Sequence, residues 1–106
     1  MIYAGDFAQV VMMAMDVGEK IGYDVFNLGS GITTTVGEVV DCALRHAGHT
    51  PDAIQYHANQ PSTVSFRALD CAKIQRVLGW SPVFSIDEGI GRTVAWWREN
   101  RHWWNK

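Results

Sequence analysis

Two helix starts constrain this chain more than any other feature of its sequence. "TVGE" (35–38) and "SIDE" (85–88) each place a hydroxyl residue three positions before a glutamate. In such a capping box the hydroxyl accepts the amide proton of the glutamate, and the carboxylate bonds back to the N–H of the cap residue. We therefore predict one helix that is ended by Gly48 and another that runs to about Asn100.

Two further helices are predicted from the spacing of apolar residues. Residues 6–15 repeat apolar side chains at helical intervals, with Asp6 able to cap the helix and Gly18 and Gly22 closing the segment. Residues 71–78 form the other helix, capped by the preceding aspartate and ended by the following glycine.

Three segments are typical of short strands. "YDVFNLG" (23–29) is a strongly apolar run bounded by glycines, whereas "AIQYHA" (53–58) and "TVSFRAL" (63–69) alternate apolar and polar residues. No repeat, low-complexity tract or linker divides the chain. We therefore predict an α/β fold: one small compact domain, 1–106, with about four helices and two to four short strands.

Composition excludes several classes of function. The formal net charge is −2 and the basic residues are scattered, so the basic stripe that binds nucleic acid is absent. No apolar run approaches the roughly 20 residues of a membrane span, and the first residues do not resemble a signal peptide. With nothing pointing to an oxidising compartment, we expect a cytoplasmic protein in which Cys42 and Cys71 are free thiols.

The glycines after the first predicted strand raise the question of a cofactor loop. A dinucleotide fingerprint needs G-x-G-x-x-G/A between a strand and a helix. Gly29 and Gly31 supply two of those glycines, but the third position is Thr34, which is too large for close strand–helix contact. We expect a turn that requires a positive φ and no cofactor-binding residue in this chain.

Catalytic and metal motifs are also missing from the sequence. There is no Tyr-x-x-x-Lys pair and no Gly-x-Ser-x-Gly elbow, so we assign no catalytic residue. His46 and His49 lie near a helix end, but neither cysteine pairs with a histidine at the spacing of a zinc site. The sequence alone therefore predicts no metal site.

Five motifs in order carry a family resemblance. They are "IYAGDFAQVVMMAM", "VFNLGSG", "TTVGEVVDCAL", the "DCAK" helix start and "LGWSP" followed by "SIDEG". Together they resemble the C-terminal third of nucleotide-sugar epimerases and dehydratases of the UDP-galactose 4-epimerase type, in the extended short-chain dehydrogenase/reductase superfamily. In that family an N-terminal Rossmann half binds NAD(P) and carries the catalytic tyrosine and lysine. The resemblance therefore implies a substrate-binding region without the Rossmann half, not catalytically competent alone.

The same resemblance suggests three substrate-binding residues. Gln60 stands where many members present a basic group to the nucleotide diphosphate, and Thr63 stands where many have an aspartate for the ribose hydroxyls. Arg67 matches a position near the substrate and is the best single candidate for a phosphate or sugar contact. Asp70, Lys73 and Trp80 also match family motifs, but capping, an exposed helix face and packing explain them without a ligand.

Two functional hypotheses remain open from the sequence. The chain is either the substrate side of such an enzyme, with NAD(P) bound only in the full-length parent, or a free-standing interaction module that has lost the sugar chemistry. The expected partners are a nucleotide-diphosphate sugar and either a second copy of the chain or a Rossmann domain. Crowded apolar residues in the first helix and four tryptophans near the C-terminus favour such a protein interface.

Overall fold

A computed structural model describes residues 1–57 and 66–104. It contains four α-helices and a final 3₁₀ turn: α1 (Ala4–Ile21), α2 (Val36–Ala47), α3 (Ala72–Leu78), α4 (Ile86–Glu99) and the turn Arg101–Trp103. The predicted number of helices is therefore confirmed. None of the described helices combines the length and the apolar character that a membrane crossing requires.

Both capping boxes form as the sequence predicts. The Glu38 N–H donates to Thr35 Oγ1 at 3.2 Å, and the Thr35 N–H donates to Glu38 Oε2 at 2.6 Å. Ser85 and Glu88 repeat the arrangement at 3.2 Å and 2.9 Å. Because each box satisfies donors that the helix itself leaves free, the starts of α2 and α4 are fixed locally.

Helix α1 differs from its prediction at both ends. It begins after Tyr3 and continues through Gly18 to Ile21, and Gly22, with φ of 63°, ends it. Asp6 does not cap this helix. Its side chain is buried and accepts the N–H groups of the two residues before the α4 cap, Val83 at 2.9 Å and Phe84 at 3.4 Å.

Helix α3 begins one residue later than predicted, at Ala72. Asp70 still supplies the expected side-chain acceptor, since its Oδ1 accepts the Ala72 N–H at 2.9 Å. Gly79, with φ of 66°, ends the helix. A left-handed residue at this position is disfavoured for any side chain with a Cβ, which explains the glycine.

A small apolar core joins α1 to α3. Val10, Ile74 and Trp80 are buried in contact with one another, and Trp80 is a packing anchor as expected. The indole Nε1 of Trp80 donates to Gln9 Oε1 at 3.3 Å, so its polar atom is satisfied at the edge of the core. The core therefore holds together residues from opposite halves of the sequence.

The prediction of two to four strands is wrong for the residues that the structure describes, which form none. Residues 23–29 lie beside 69–71, but the hydrogen bonds that join this segment to residues 70–73 come from side chains and not from a backbone ladder. Asn27 Nδ2 donates to the Asp70 carbonyl at 3.2 Å, and Lys73 Nζ donates to the Val25 carbonyl at 2.9 Å. A strand needs a neighbouring backbone to pair with, and here side chains take that place. The described parts of 53–58 and 63–69 are likewise not strands.

Other elements pack closely against helix α4 at two of its glycines. A Cβ built on Gly89 would lie 3.0 Å from Tyr3 Cβ, and one built on Gly91 would lie 2.8 Å from His46 Cε1. Tyr3 also packs edge-on against Phe84, with ring centroids 5.2 Å apart. These glycines thus let the start of α1 and the end of α2 approach the backbone of α4.

Candidate functional site

The two glycines of the turn after residue 28 are needed for different structural reasons. Gly31 has a φ of 70°, which confirms the predicted left-handed turn residue. Gly29 has no positive φ, but a Cβ there would lie 3.3 Å from Cys71 Sγ. The turn therefore leads from an irregular segment, not from a strand, towards α2.

Arg67 lies on the wall of a cavity of about 200 Å³ that the glycine turn also lines. Residues 29–33 of the glycine turn form one side of the cavity, and Ile2 and Leu69 contribute apolar side chains to its wall. Arg67 is exposed, so its guanidinium can offer charge-assisted hydrogen bonds to an anion. Sites for drug-sized ligands have volumes of about 300–1,000 Å³, so this cavity is smaller than such sites.

The other two candidate substrate residues, Gln60 and Thr63, lie outside the described residues. Their placement relative to Arg67 therefore stays a prediction. Of the three candidates, only Arg67 lies among the residues that the structure describes.

Lys73 forms contacts that its position in the sequence did not predict. Its Nζ pairs with Asp24 Oδ1 and lies 5.1 Å from the centre of the Phe26 ring. The hydrogen bond from Lys73, followed by the one from the Val25 N–H, lowers the pKa of Asp24 below its ordinary value. Lys73 thus fastens α3 to the segment before the glycine turn, while its side chain stays 44% exposed, in agreement with the predicted exposed helix face.

A second group of chemically active side chains lies between α2 and α4. We call it the α2–α4 polar cluster: Cys42, Arg45 and His46 from α2, and Asp87 from the first turn of α4. One oxygen, Asp87 Oδ1, lies 3.1 Å from Cys42 Sγ, 3.2 Å from His46 Nε2 and 2.7 Å from Arg45 Nη2. Three potential donors therefore converge on a single carboxylate oxygen.

Proton affinities in the polar cluster follow from this convergence. Hydrogen bonds from Cys42, then Arg45, then His46 lower the pKa of Asp87 from 3.8 to about 2. Burial, together with the neighbouring carboxylate, raises the pKa of the Cys42 thiol. The carboxylate is thus ionised at neutral pH, and the thiol keeps its proton unless a cation replaces it.

This cluster was not predicted from the sequence. Cys42 and His46 are four residues apart, a spacing that places both side chains on the same face of a helix. That signal was present in the sequence, and the statement that no cysteine and histidine are suitably spaced is wrong for this pair. Asp87 had no such signal, because only the packing of α4 against α2 brings it to them. Both cysteines are free thiols, as expected.

Comparisons with known proteins agree with the family resemblance, although no protein-family model matches the chain. The dTDP-glucose 4,6-dehydratase of Streptomyces griseus is 34% identical over 80 residues, which are 76% of this chain and 24% of that protein. The dTDP-glucose 4,6-dehydratase of Salmonella typhimurium is 30% identical over 98% of this chain and 30% of its own length. The UDP-glucuronate 4-epimerase of Thermodesulfobacterium geofontis is 28% identical over 92% of this chain and 29% of its own.

The matched region is a large fraction of this chain but a small fraction of each relative. They cover most of this chain, while the chain spans less than a third of the length of these curated relatives. Similarity that extends across α1 to α4 in order is more specific than any single motif within it. The chain is therefore homologous to a part of the NAD-dependent nucleotide-sugar dehydratases and epimerases, the family whose motifs it carries.

Proposed function

We propose that this chain is the substrate-side portion of an NAD-dependent nucleotide-sugar dehydratase or epimerase, and that it is not catalytically competent alone. The observation that carries the proposal is the one-sided match to enzymes of those names, at up to 98% of this chain and at most 30% of theirs. The sequence contains no Tyr-x-x-x-Lys pair and no complete dinucleotide fingerprint. NAD(P) binding and proton transfer are therefore assigned to the part of the enzyme that this chain does not match.

Within this proposal Arg67 provides the contact to the diphosphate or the sugar. Its guanidinium can bind two phosphate oxygens at once, and the adjoining turn at Gly31 leaves room for a ligand to approach the backbone. Gln60 can add hydrogen bonds without charge, and Thr63 can bond a ribose hydroxyl. A single charged contact contributes only about 1.5–3 kcal/mol, so binding to the isolated chain is weak.

Saturation-transfer NMR with dTDP-glucose and UDP-glucose tests this assignment. A Kd of about 1 mM corresponds to roughly 4 kcal/mol, and we expect affinity in that range or weaker. Arg67→Gln should weaken binding about tenfold, which corresponds to roughly 1.4 kcal/mol. Arg76→Gln, a change at an exposed arginine of α3 away from the cavity, is the matched control and should leave binding unchanged. Equal binding by wild type and Arg67→Gln would remove Arg67 from the site.

A gain-of-affinity change examines the residue that departs from the family pattern. Gln60→Arg restores the basic group that the family presents to the diphosphate, so it should tighten nucleotide-sugar binding about tenfold or more. Isothermal titration calorimetry measures the change. No gain would show that residue 60 does not face the ligand.

The isolated chain should neither bind NAD(H) nor convert a nucleotide sugar. NADH fluorescence titrated with protein, and product analysis after incubation with dTDP-glucose and NAD⁺, are the measurements. Heat-denatured protein is the control for both. A fluorescence change or product that depends on folded protein would contradict the assignment of cofactor and chemistry to the part of the relatives that this chain does not match.

The surface of the chain supports a protein partner as well as a ligand. Large apolar side chains are exposed on α1 and near the C-terminus: Phe7, Val11, Met12, Met15, Trp96, Trp97, Trp103 and Trp104. We propose that the NAD-binding part of the enzyme covers this surface, and that the chain alone associates into a twofold dimer.

Light scattering during size-exclusion chromatography tests the dimer. The expected mass at micromolar concentration is twice that of the chain, and Val11→Asp should shift it towards the monomer. Val77→Asp changes a similarly exposed valine on α3 and is the control. A monomeric wild type would contradict self-association, which is also the basis of the interaction-module hypothesis.

A further inference from the structure

We propose that the α2–α4 polar cluster is a binding site for a divalent transition-metal ion, with zinc as the expected ion and Cys42, His46 and Asp87 as its ligands. Nothing in the nucleotide-sugar assignment requires this site. The proposal rests on the positions and types of the three side chains, which come from two helices that pack against each other.

The distances between the ligand atoms suit a single ion. Cys42 Sγ, His46 Nε2 and Asp87 Oδ1 all lie within 4.8 Å of one another. Zinc bonds of about 2.0–2.3 Å at a tetrahedral centre separate neighbouring ligand atoms by about 3.3–3.6 Å. The carboxylate oxygen is 3.1 Å from the sulfur and 3.2 Å from the nitrogen, so these two separations need to widen by only a few tenths of an ångström, and the sulfur and the nitrogen lie within 4.8 Å of each other.

The ligand types and their exposure point to the same class of ion. A thiolate and an imidazole select zinc and similar borderline metals over magnesium or calcium, which prefer oxygen ligands. Cys42 is only 4% exposed and forms the floor of the site, whereas the Asp87 side chain is 47% exposed and leaves an entrance. Three protein ligands leave the fourth position of a tetrahedral ion to water.

Gly91 helps to hold the histidine in place. The His46 ring lies so close to the α4 backbone that a Cβ on Gly91 would be 2.8 Å from His46 Cε1. The glycine therefore admits the ring against α4, where its Nε2 meets Asp87. This restriction reduces the rotamer freedom that the imidazole would otherwise lose on binding an ion.

Arg45 is the one member of the cluster that opposes a cation. Its guanidinium pairs with the same Asp87 oxygen at 2.7 Å, but its side chain is 64% exposed and can move into solvent. Metal binding would displace Arg45 from that oxygen and release the Cys42 thiol proton to water, which leaves the thiolate on the ion. The neutral His46 ring would carry its proton on Nδ1, so that Nε2 is free to bind the ion. Removal of the guanidinium should therefore strengthen metal binding, an effect that a purely structural cluster does not predict.

Cobalt substitution provides a direct test. The whole chain, stripped with a chelator and kept reduced with a phosphine, is titrated with Co²⁺, and the thiolate-to-cobalt charge-transfer band is followed. We expect a band that appears at one equivalent and disappears when Zn²⁺ is added. Cys42→Ser should abolish the band and Cys71→Ser should preserve it, since Cys71 lies at the start of α3.

Zinc competition with a chromophoric chelator then ranks the ligands. His46→Gln and Asp87→Asn should each weaken zinc binding about tenfold or more, whereas His49→Gln should leave it unchanged. Arg45→Gln should strengthen it several-fold. Asp87 is the most exposed of the ligands, and circular dichroism of its variant will show whether the helices are retained.

Three results would overturn the proposal. They are the absence of a thiolate band in the wild type, a band that survives Cys42→Ser, and zinc affinity that Asp87→Asn leaves unchanged in a folded protein. A thermal readout adds an independent check, because an ion that binds only the folded chain raises Tm. The increase with Zn²⁺ should occur in the wild type and be lost in Asp87→Asn.

Discussion

The α2–α4 pair and the α1–α3 core are held together in different ways. Helices α2 and α4 each begin with a complete capping box and meet through a polar cluster. Helices α1 and α3 begin without a side-chain bond from the cap residue itself and meet through buried Val10, Ile74 and Trp80. The helix starts of the first pair are fixed by local signals, whereas the second pair depends on tertiary burial, so the two should respond differently to mutation.

Asp6 connects these two regions. It belongs to α1, yet its carboxylate accepts the backbone N–H groups of Val83 and Phe84, which lead into α4. The start of α4 is therefore positioned partly by α1. Loss of this connection should affect both regions together, while changes within one region should remain more local.

The largest effect is expected in the α1–α3 core. Ile74 is 1% exposed, and Ile74→Ala should destabilise the chain by about 2–5 kcal/mol because it leaves a cavity in a core of few residues. Val77→Ala on the same helix, where the side chain is 45% exposed, should cost far less. Urea denaturation followed by circular dichroism measures both. Similar costs at the two sites would show that this core does not hold α3.

The connection at Asp6 should produce the next largest effect. Asp6→Ala removes the acceptor for two backbone N–H groups and should cost about 1–3 kcal/mol or more. Asp16→Asn, at an exposed position of the same helix, is the control and should be nearly neutral. Hydrogen exchange at the Val83 and Phe84 amides adds a local readout. Unchanged protection of those amides in Asp6→Ala would contradict the connection.

The capping boxes should contribute smaller and separable amounts. Thr35→Ala and Ser85→Ala should each lower the free energy of unfolding by about 1 kcal/mol, since each leaves an N-terminal N–H of its helix without an acceptor. Thr50→Ala, at an exposed position after α2, is the control. Thermal unfolding measures the single variants and the double variant. Costs near zero would mean that packing alone fixes the starts of these helices.

The smallest effect is a pH dependence of the polar cluster. The pKa of Asp87 is lowered to about 2 in the folded chain, so its stabilising interactions are complete above its ordinary value of 3.8 and are lost as the pH falls through about 2. Asp87→Asn should therefore lower Tm more at pH 5 than near pH 2. Asp41→Asn, also on α2 and exposed, is the control. A difference in Tm that is equal at both pH values would contradict the lowered pKa.

The parts of the fold that could be predicted from sequence are those whose determinants are local. The boxes at Thr35 and Ser85, and the terminal glycines Gly48 and Gly79, act within one turn of the residues they affect, and all four were predicted correctly. The capping role predicted for Asp6 was wrong because its partners lie 77 and 78 residues away. An aspartate that caps a helix and an aspartate that is a buried acceptor look the same in the sequence.

The strands and the candidate site were also beyond what local sequence signals could predict in full. The apolar run in 23–29 indicates a buried extended segment but does not supply a partner strand. Arg67 was identified through the family resemblance, and its position beside the glycine turn required the fold. Cys42 and His46 were detectable as a helical pair, whereas Asp87 could join them only through the contact between α2 and α4.

Gly89 and Gly91 have a consequence for how α4 tolerates change. Glycine lowers intrinsic helix stability by about 1 kcal/mol relative to alanine, so the helix is weaker as an isolated peptide than an alanine-containing one would be. In the domain these positions accommodate Tyr3 and His46. The same alanine substitution would thus strengthen the free helix and weaken its docking. Selection for the assembled structure can preserve residues that selection for the helix alone would replace.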